Sequence, residues 1–103
     1  MTLTELKYIV AVARVKHFGH AAEACFVAQP TLSVAIKKLE DELGVVIFER
    51  GGSEISVTPL GLQIVAQAER VLEQTAAIRE IASQNKLAIK IKRSDLFITR
   101  PPE

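Results

Sequence analysis

Residues 29–44 read QPTLSVAIKKLEDELG. Pro30 suits the first position of a helix, where its missing N–H leaves no bond unmade. The residue before a proline avoids helical geometry, so Gln29 is expected just outside. Gly44 suits the left-handed position past a helix end. A helix is therefore predicted over about Pro30 to Leu43. Leu32, Ala35, Ile36, Leu39 and Leu43 recur at helical spacing and mark its buried face. The opposite face carries Thr31, Ser33, Val34, Lys37, Lys38 and Asp41, with hydroxyls first and lysines after.

Upstream lies a shorter helix, predicted over Gly19 to Cys25. Ala21, Ala22 and Cys25 fall on one side and are small enough to let another helix approach. Phe26, Val27 and Ala28 are expected to form a compact apolar connection. Helix, short turn, helix is the helix-turn-helix arrangement. Before it, Thr2 and Glu5 form a capping-box pattern, and Leu3, Leu6, Ile9, Val10 and Ala13 form an apolar stripe. A first helix is predicted there, with Gly19 breaking the run.

Downstream, Val45 to Glu49 (VVIFE) is a strand candidate. Arg50, Gly51, Gly52 and Ser53 form a predicted turn, and Glu54 to Val57 a second strand. Thr58 and Pro59 then signal a long helix to about Gln84, roughly 40 Å at 1.5 Å per residue. Along it Ile64, Ala68, Val71, Thr75, Ile78 and Ala82 recur at spacings of four and three, widened by Val65, Leu72 and Ile81. Such a stripe exceeds what a small domain covers, and a second copy of the same helix is the expected partner. Ser83, Gln84 and Asn85 are expected to end the helix, and Leu87 to Lys92 (LAIKIK) alternates like a strand. The chain thus divides into residues 1–58, a helix-turn-helix with a hairpin; 59–85, a dimerisation helix; and 86–103, a basic tail.

The totals narrow the function classes. The chain has 103 residues, 49% of them hydrophobic and 24% charged, enough for one folded domain with an appendage. A single cysteine, Cys25, excludes a disulfide framework and suits a reducing compartment. No run approaches the ~20 apolar residues of a membrane span. With no secretory pattern at the start, a cytoplasmic location and no membrane partner are expected. His17, His20 and Cys25 lack zinc spacing, and Cys25 reads as a buried structural thiol. Glu40, Asp41 and Glu42 read as a solvated face. No glycine-rich phosphate loop and no acid–base pair with a pocket is evident. Neither an enzyme nor a cofactor or metal is expected.

The net charge is only +1, so any anion-binding surface must come from segregation of charge. The start of the central helix offers it. Thr31 and Ser33 bring hydroxyls, and the helix N-terminus brings backbone donors suited to phosphate. Gln29 can read an adenine edge or hold a phosphate. Lys37 lies one turn beyond Ser33 on the same face, and Lys38 points aside toward phosphate. Arg50 is expected at the hairpin, away from that face, as a backbone contact. The same residues also serve as ordinary caps and solvated side chains in many helices. The competing class is a protein-interaction or assembly module whose working surface is the long amphipathic helix.

The segment HFGHAAEACFVAQPTLSVAIKKLEDELGVVIFER (residues 17–50), followed by VTPLG (57–61), resembles the N-terminal domain of LysR-type bacterial transcription regulators. Within the family the similarity is greatest to its peroxide-sensing, oxidative-stress branch. The resemblance implies a mainly α, winged helix-turn-helix fold with a small two-stranded wing and a long linker helix that pairs two copies. It implies double-stranded DNA with a near-palindromic site as partner, and RNA polymerase as a further one. Gln29, Thr31, Ser33 and Lys37 would be base or phosphate contacts, with Pro30, Val34 and Lys38 on the same helix and Arg50 at the wing. Three departures stand out. Many members carry a serine after the aromatic of the helix-turn-helix, where Gly19 and His20 stand here. The wing stretch Gly51 to Glu54 lacks a second basic residue, and Glu54 repels phosphate. The family's effector domain is absent, so the chain is expected to be an isolated DNA-binding domain, with LAIKIK a remnant of the next strand. The branch's redox cysteines would lie in that absent part, and Cys25 does not match them.

Overall fold

The computed structural model describes residues 1–51 and 54–96, with side chains described as far as Asn85. The first helix, α1 (Leu3–Val15), starts at the capping box: Thr2 Oγ1 accepts from the Glu5 N–H at 3.1 Å, and Glu5 Oε1 accepts from the Thr2 N–H at 2.9 Å. It ends earlier than Gly19. Lys16 turns left-handed at φ 54° and its N–H reaches the Val12 carbonyl at 2.7 Å. Gly19 instead lies in the first turn of α2 (Phe18–Ala24), which is capped by His17, whose Nδ1 accepts from the His20 N–H at 2.9 Å.

The turn after α2 closes with two bonds. The Val27 N–H reaches the Ala22 carbonyl at 3.0 Å and the Phe26 N–H reaches that of Glu23 at 3.1 Å. This pair is a Schellman motif, and its left-handed position, usually glycine, is filled by Phe26 at φ 60°. Phe26 is not part of a compact connection as expected: its side chain is 93% exposed.

The central helix, α3, runs Gln29–Leu43, so Gln29 is inside it and Ala28 is the extended residue before it. Pro30 is tolerated there because first-turn N–H groups have no intrahelical acceptor in any case. Gly44 ends the helix at φ 69° with its N–H on the Glu40 carbonyl. Leu32, Ile36 and Leu39 are buried and Ala35 half-buried, whereas Leu43, in the last turn, is exposed. The core closes with Leu6, Ile9, Val10 and Val12 from α1, Phe18, Ala21 and Ala22 from α2, and Ile47, Phe48, Val65 and Ala68.

The first strand begins later than VVIFE. β1 is Phe48–Gly51 and pairs antiparallel with β2, Glu54–Val57, in the register Phe48 to Val57 and Arg50 to Ile55. Val46 and Ile47 are withheld because their backbone is engaged elsewhere. The Val46 carbonyl accepts from Thr58 Oγ1 at 2.7 Å, and the Ile47 carbonyl accepts from the Thr58 N–H at 2.9 Å. The Ile47 and Phe48 N–H groups both donate to Glu40 Oε2, at 2.7 and 3.1 Å. Glu40 is therefore a tie between helix and wing and not part of a solvated run. Arg50 and Gly51, read as turn, are strand residues; Gly52 and Ser53 lie outside the described residues.

Thr58 Oγ1 also accepts from the Gly61 N–H at 2.9 Å, starting α4. α4 spans Pro59–Leu96 and passes Ser83, Gln84 and Asn85 without ending. LAIKIK is thus helical. A lone six-residue strand leaves its backbone unpaired, whereas continuing a formed helix adds a bond for each residue fixed. Of the expected tail, residues 86–96 thus belong to α4, and residues 97–103 lie outside the described residues. Two compact units are distinguishable, Met1–Leu72 and Glu73–Glu103, so the first turns of α4 belong with the helix-turn-helix.

Candidate nucleic-acid interface

α3 turns its outward ridge at Pro30, Val34, Lys37 and Asp41, opposite Leu32, Ile36 and Leu39, as the 100° step of a helix requires. Val34 is 68% exposed, an apolar side chain amid polar ones. Lys37 Nζ pairs with Asp41 Oδ1 at 3.2 Å, with both side chains largely in solvent.

The flanks of the ridge are two grooves. On one side Pro30, Thr31, Val34, Ala35 and Lys38 face Thr2, Thr4, Glu5 and Tyr8 of the α1 end. On the other, Ser33, Ile36, Lys37 and Glu40 face Phe18, Phe48 and Arg50. The structure thus brings Arg50 to the Ser33–Lys37 side of α3, where the sequence placed it apart. The register is the reason: as a strand residue paired with Ile55, Arg50 leaves the sheet near α2 and not at the hairpin tip. Its guanidinium carbon sits 4.3 Å from the Phe18 ring centroid, and Phe18 meets Phe48 edge-on at 6.1 Å. Neither Glu49 nor Asp41 pairs with Arg50; among the described residues it makes no ion pair.

Gln29 is exposed, and its Oε1 lies beside Gly19, where a Cβ would be 3.4 Å away. Sequence reasoning missed Thr4, which joins Thr31 and Lys38 only through the packing of α1 on α3. It also missed Phe18, whose contact with Arg50 crosses the domain. Glu54 is exposed at the start of β2, opposite Gly51. Cys25 is half-buried against the core.

The apolar stripe of α4 divides. Ala68 is buried in its own domain's core with Val65, so it is not available to a second copy. Ile64, Val71 and Leu72 are packed partly against the same core. Thr75 is half-buried. Ile78, Ile81 and Ala82 are exposed.

Three helices with a reading helix outermost, a two-stranded wing and a long final helix define a winged helix-turn-helix. The pattern of the bacterial regulatory helix-turn-helix proteins of the lysR family matches residues 3–62, and the chain belongs to that family. It is similar to the hydrogen peroxide-inducible genes activator of Pectobacterium carotovorum subsp. carotovorum, 48% identical over 84 residues, which cover 82% of this chain and 28% of that protein. A full-length OxyR variant from Pseudomonas aeruginosa superposes with a TM-score of 0.80 at 64% identity, over 84% of this chain and 29% of that one. The DNA-binding domain of BenM, solved in complex with catB site 1 DNA, superposes with a TM-score of 0.78 at 34% identity, over 82% and 93% of the two chains. The chain therefore spans less than a third of the peroxide regulators it matches.

Proposed function

We propose that the chain is the DNA-reading part of an OxyR-like transcription regulator of peroxide-inducible genes, acting without chemistry of its own. The observation that supports this most is the outward ridge of α3, flanked on both sides by hydroxyls and cations. Placed in a major groove, Val34 suits a thymine methyl and Lys37 a guanine edge, while Gln29, at the helix start, suits adenine. Thr31, Ser33, Lys38 and Arg50 on the flanks suit the phosphates of the two strands, with Pro30 packing at the helix entry. Two copies paired through the exposed part of α4 would present two ridges to a near-palindromic site. Such a complex belongs in the bacterial cytoplasm, where promoter-bound regulators meet RNA polymerase. Oxidant sensing is not placed on Cys25, which is half-buried against the core. No helix among the described residues is long and apolar enough to cross a membrane.

The test is affinity for duplex DNA as salt is raised. Several phosphate contacts for each dimer should make log affinity fall steeply and linearly with log salt. Negligible affinity at low salt would transfer the function to α4, as an assembly surface.

A further inference from the structure

We propose that Phe18 is a positioning residue for DNA binding: its ring is a platform that holds the Arg50 guanidinium beside Ser33 and Lys37. The proposal rests on the duplex-binding reading above. The ring is only 7% exposed and is pinned edge-on by Phe48, so the face it offers is fixed by the core. The guanidinium carbon at 4.3 Å lies well inside the ~6 Å range of a cation–π contact. With no carboxylate pairing Arg50 among the described residues, the ring is the contact that limits its rotamers before DNA arrives. A π face has no lone pair to occupy the guanidinium N–H donors, so they stay available to phosphate oxygens. Ser33 and Lys37 line the same groove and supply a hydroxyl and a second cation. The packing of α2 thereby sets where the wing's cation meets the backbone, as α3 enters the groove.

The experiment measures the affinity of the whole chain for one duplex at two salt concentrations, for Phe18→Leu, Arg50→Ala and the double variant. The expected result is a loss of about two- to fivefold for Phe18→Leu when Arg50 is present. In the Arg50→Ala background the same change should add nothing. Because leucine also alters the core, a pentafluorinated phenylalanine at position 18 serves as a second variant, keeping the ring's shape while draining its negative face. It should reproduce the loss at an unchanged melting temperature. Equal losses in both backgrounds, or full affinity with the fluorinated ring, would overturn the platform and leave Phe18 as packing. If Arg50→Ala has no effect, the platform falls while the reading of DNA by α3 stands. If the parent chain binds no duplex at low salt, the duplex-binding reading falls, and the platform with it.

Discussion

Lys37 stands on the outward ridge of α3, yet its ammonium is already engaged by Asp41. An exposed pair of this kind contributes about 0–1 kcal/mol, so DNA can displace it. Asp41→Asn should raise affinity for any duplex several-fold and steepen its salt dependence, by removing both the competitor and a repelled charge. Lys37→Ala should narrow the gap between a specific and a random duplex, because a base contact is worth about 1–3 kcal/mol against the wrong base. Titrating each variant against both duplexes at two salt concentrations decides it; an equal loss on both would make Lys37 a backbone anchor. Phe26 offers a different prediction. A non-glycine residue in the left-handed region carries about 1 kcal/mol of strain, and this one is repaid by no packing. Phe26→Gly should raise the free energy of unfolding by about 0.5–1 kcal/mol, read from a denaturant titration. The ridge residues were legible in the sequence because helical period alone assigns them to the outer face. Glu40 and Phe18 were not, since their partners lie on other elements and nothing local marks a carboxylate that will accept from a strand.

Among the elements, the joint between wing and α4 is the most constrained. A Cβ on Gly61 would overlap the Ile47 carbonyl oxygen and crowd Thr58 Oγ1. The obstacle is backbone on one side and the helix cap on the other, and neither can yield without losing a hydrogen bond. Alanine gains about 1 kcal/mol of helix propensity over glycine, but overpacking of this kind costs about 1–3 kcal/mol. Gly61→Ala should therefore destabilise the domain on balance, read as a lower melting temperature. That glycine follows Thr58 and Pro59 in a pattern visible in the sequence, yet the pattern alone gave a helix start and not the close approach. The misplaced boundaries have different causes. Lys16 ends α1 where a glycine was awaited, by a local bond from its N–H to the Val12 carbonyl. Val45 to Ile47 are kept out of the sheet because Glu40 and Thr58, from outside the strand, claim their backbone, and there local propensity was overruled. For LAIKIK, alternation suggested a strand that has no paired neighbour among the described residues.

At the scale of the molecule, the sequence showed one continuous stripe along α4, and the fold cuts it in two. Substituting Val71 would injure the domain core as well as any dimer, so it is a poor probe. Ile78 and Ile81 are 65% and 66% exposed and are free of that objection. Ile78→Asp with Ile81→Asp should convert a dimer to a monomer in sedimentation, with the melting of the Met1–Leu72 unit little changed. A dimer that persists would place the contact elsewhere on the chain. A net charge of +1 leaves no general attraction to nucleic acid, so on the proposed reading affinity comes from the local arrangement of Lys37, Lys38 and Arg50.

The oxygen of Thr58 touches the segment before β1 and the first turn of α4 at once. It makes the start of α4 a clamp and not a tether. If two copies pair through α4 as proposed, the joint at each reading head is set and not slack. A flexible tether would absorb a longer gap for about 0.6 kcal/mol per doubling of its length. A clamp cannot, and each base pair inserted between half-sites also turns the far one by about a tenth of a helical turn. Operators for this protein should therefore tolerate changes of letter at single positions far better than a change of spacing by one or two base pairs.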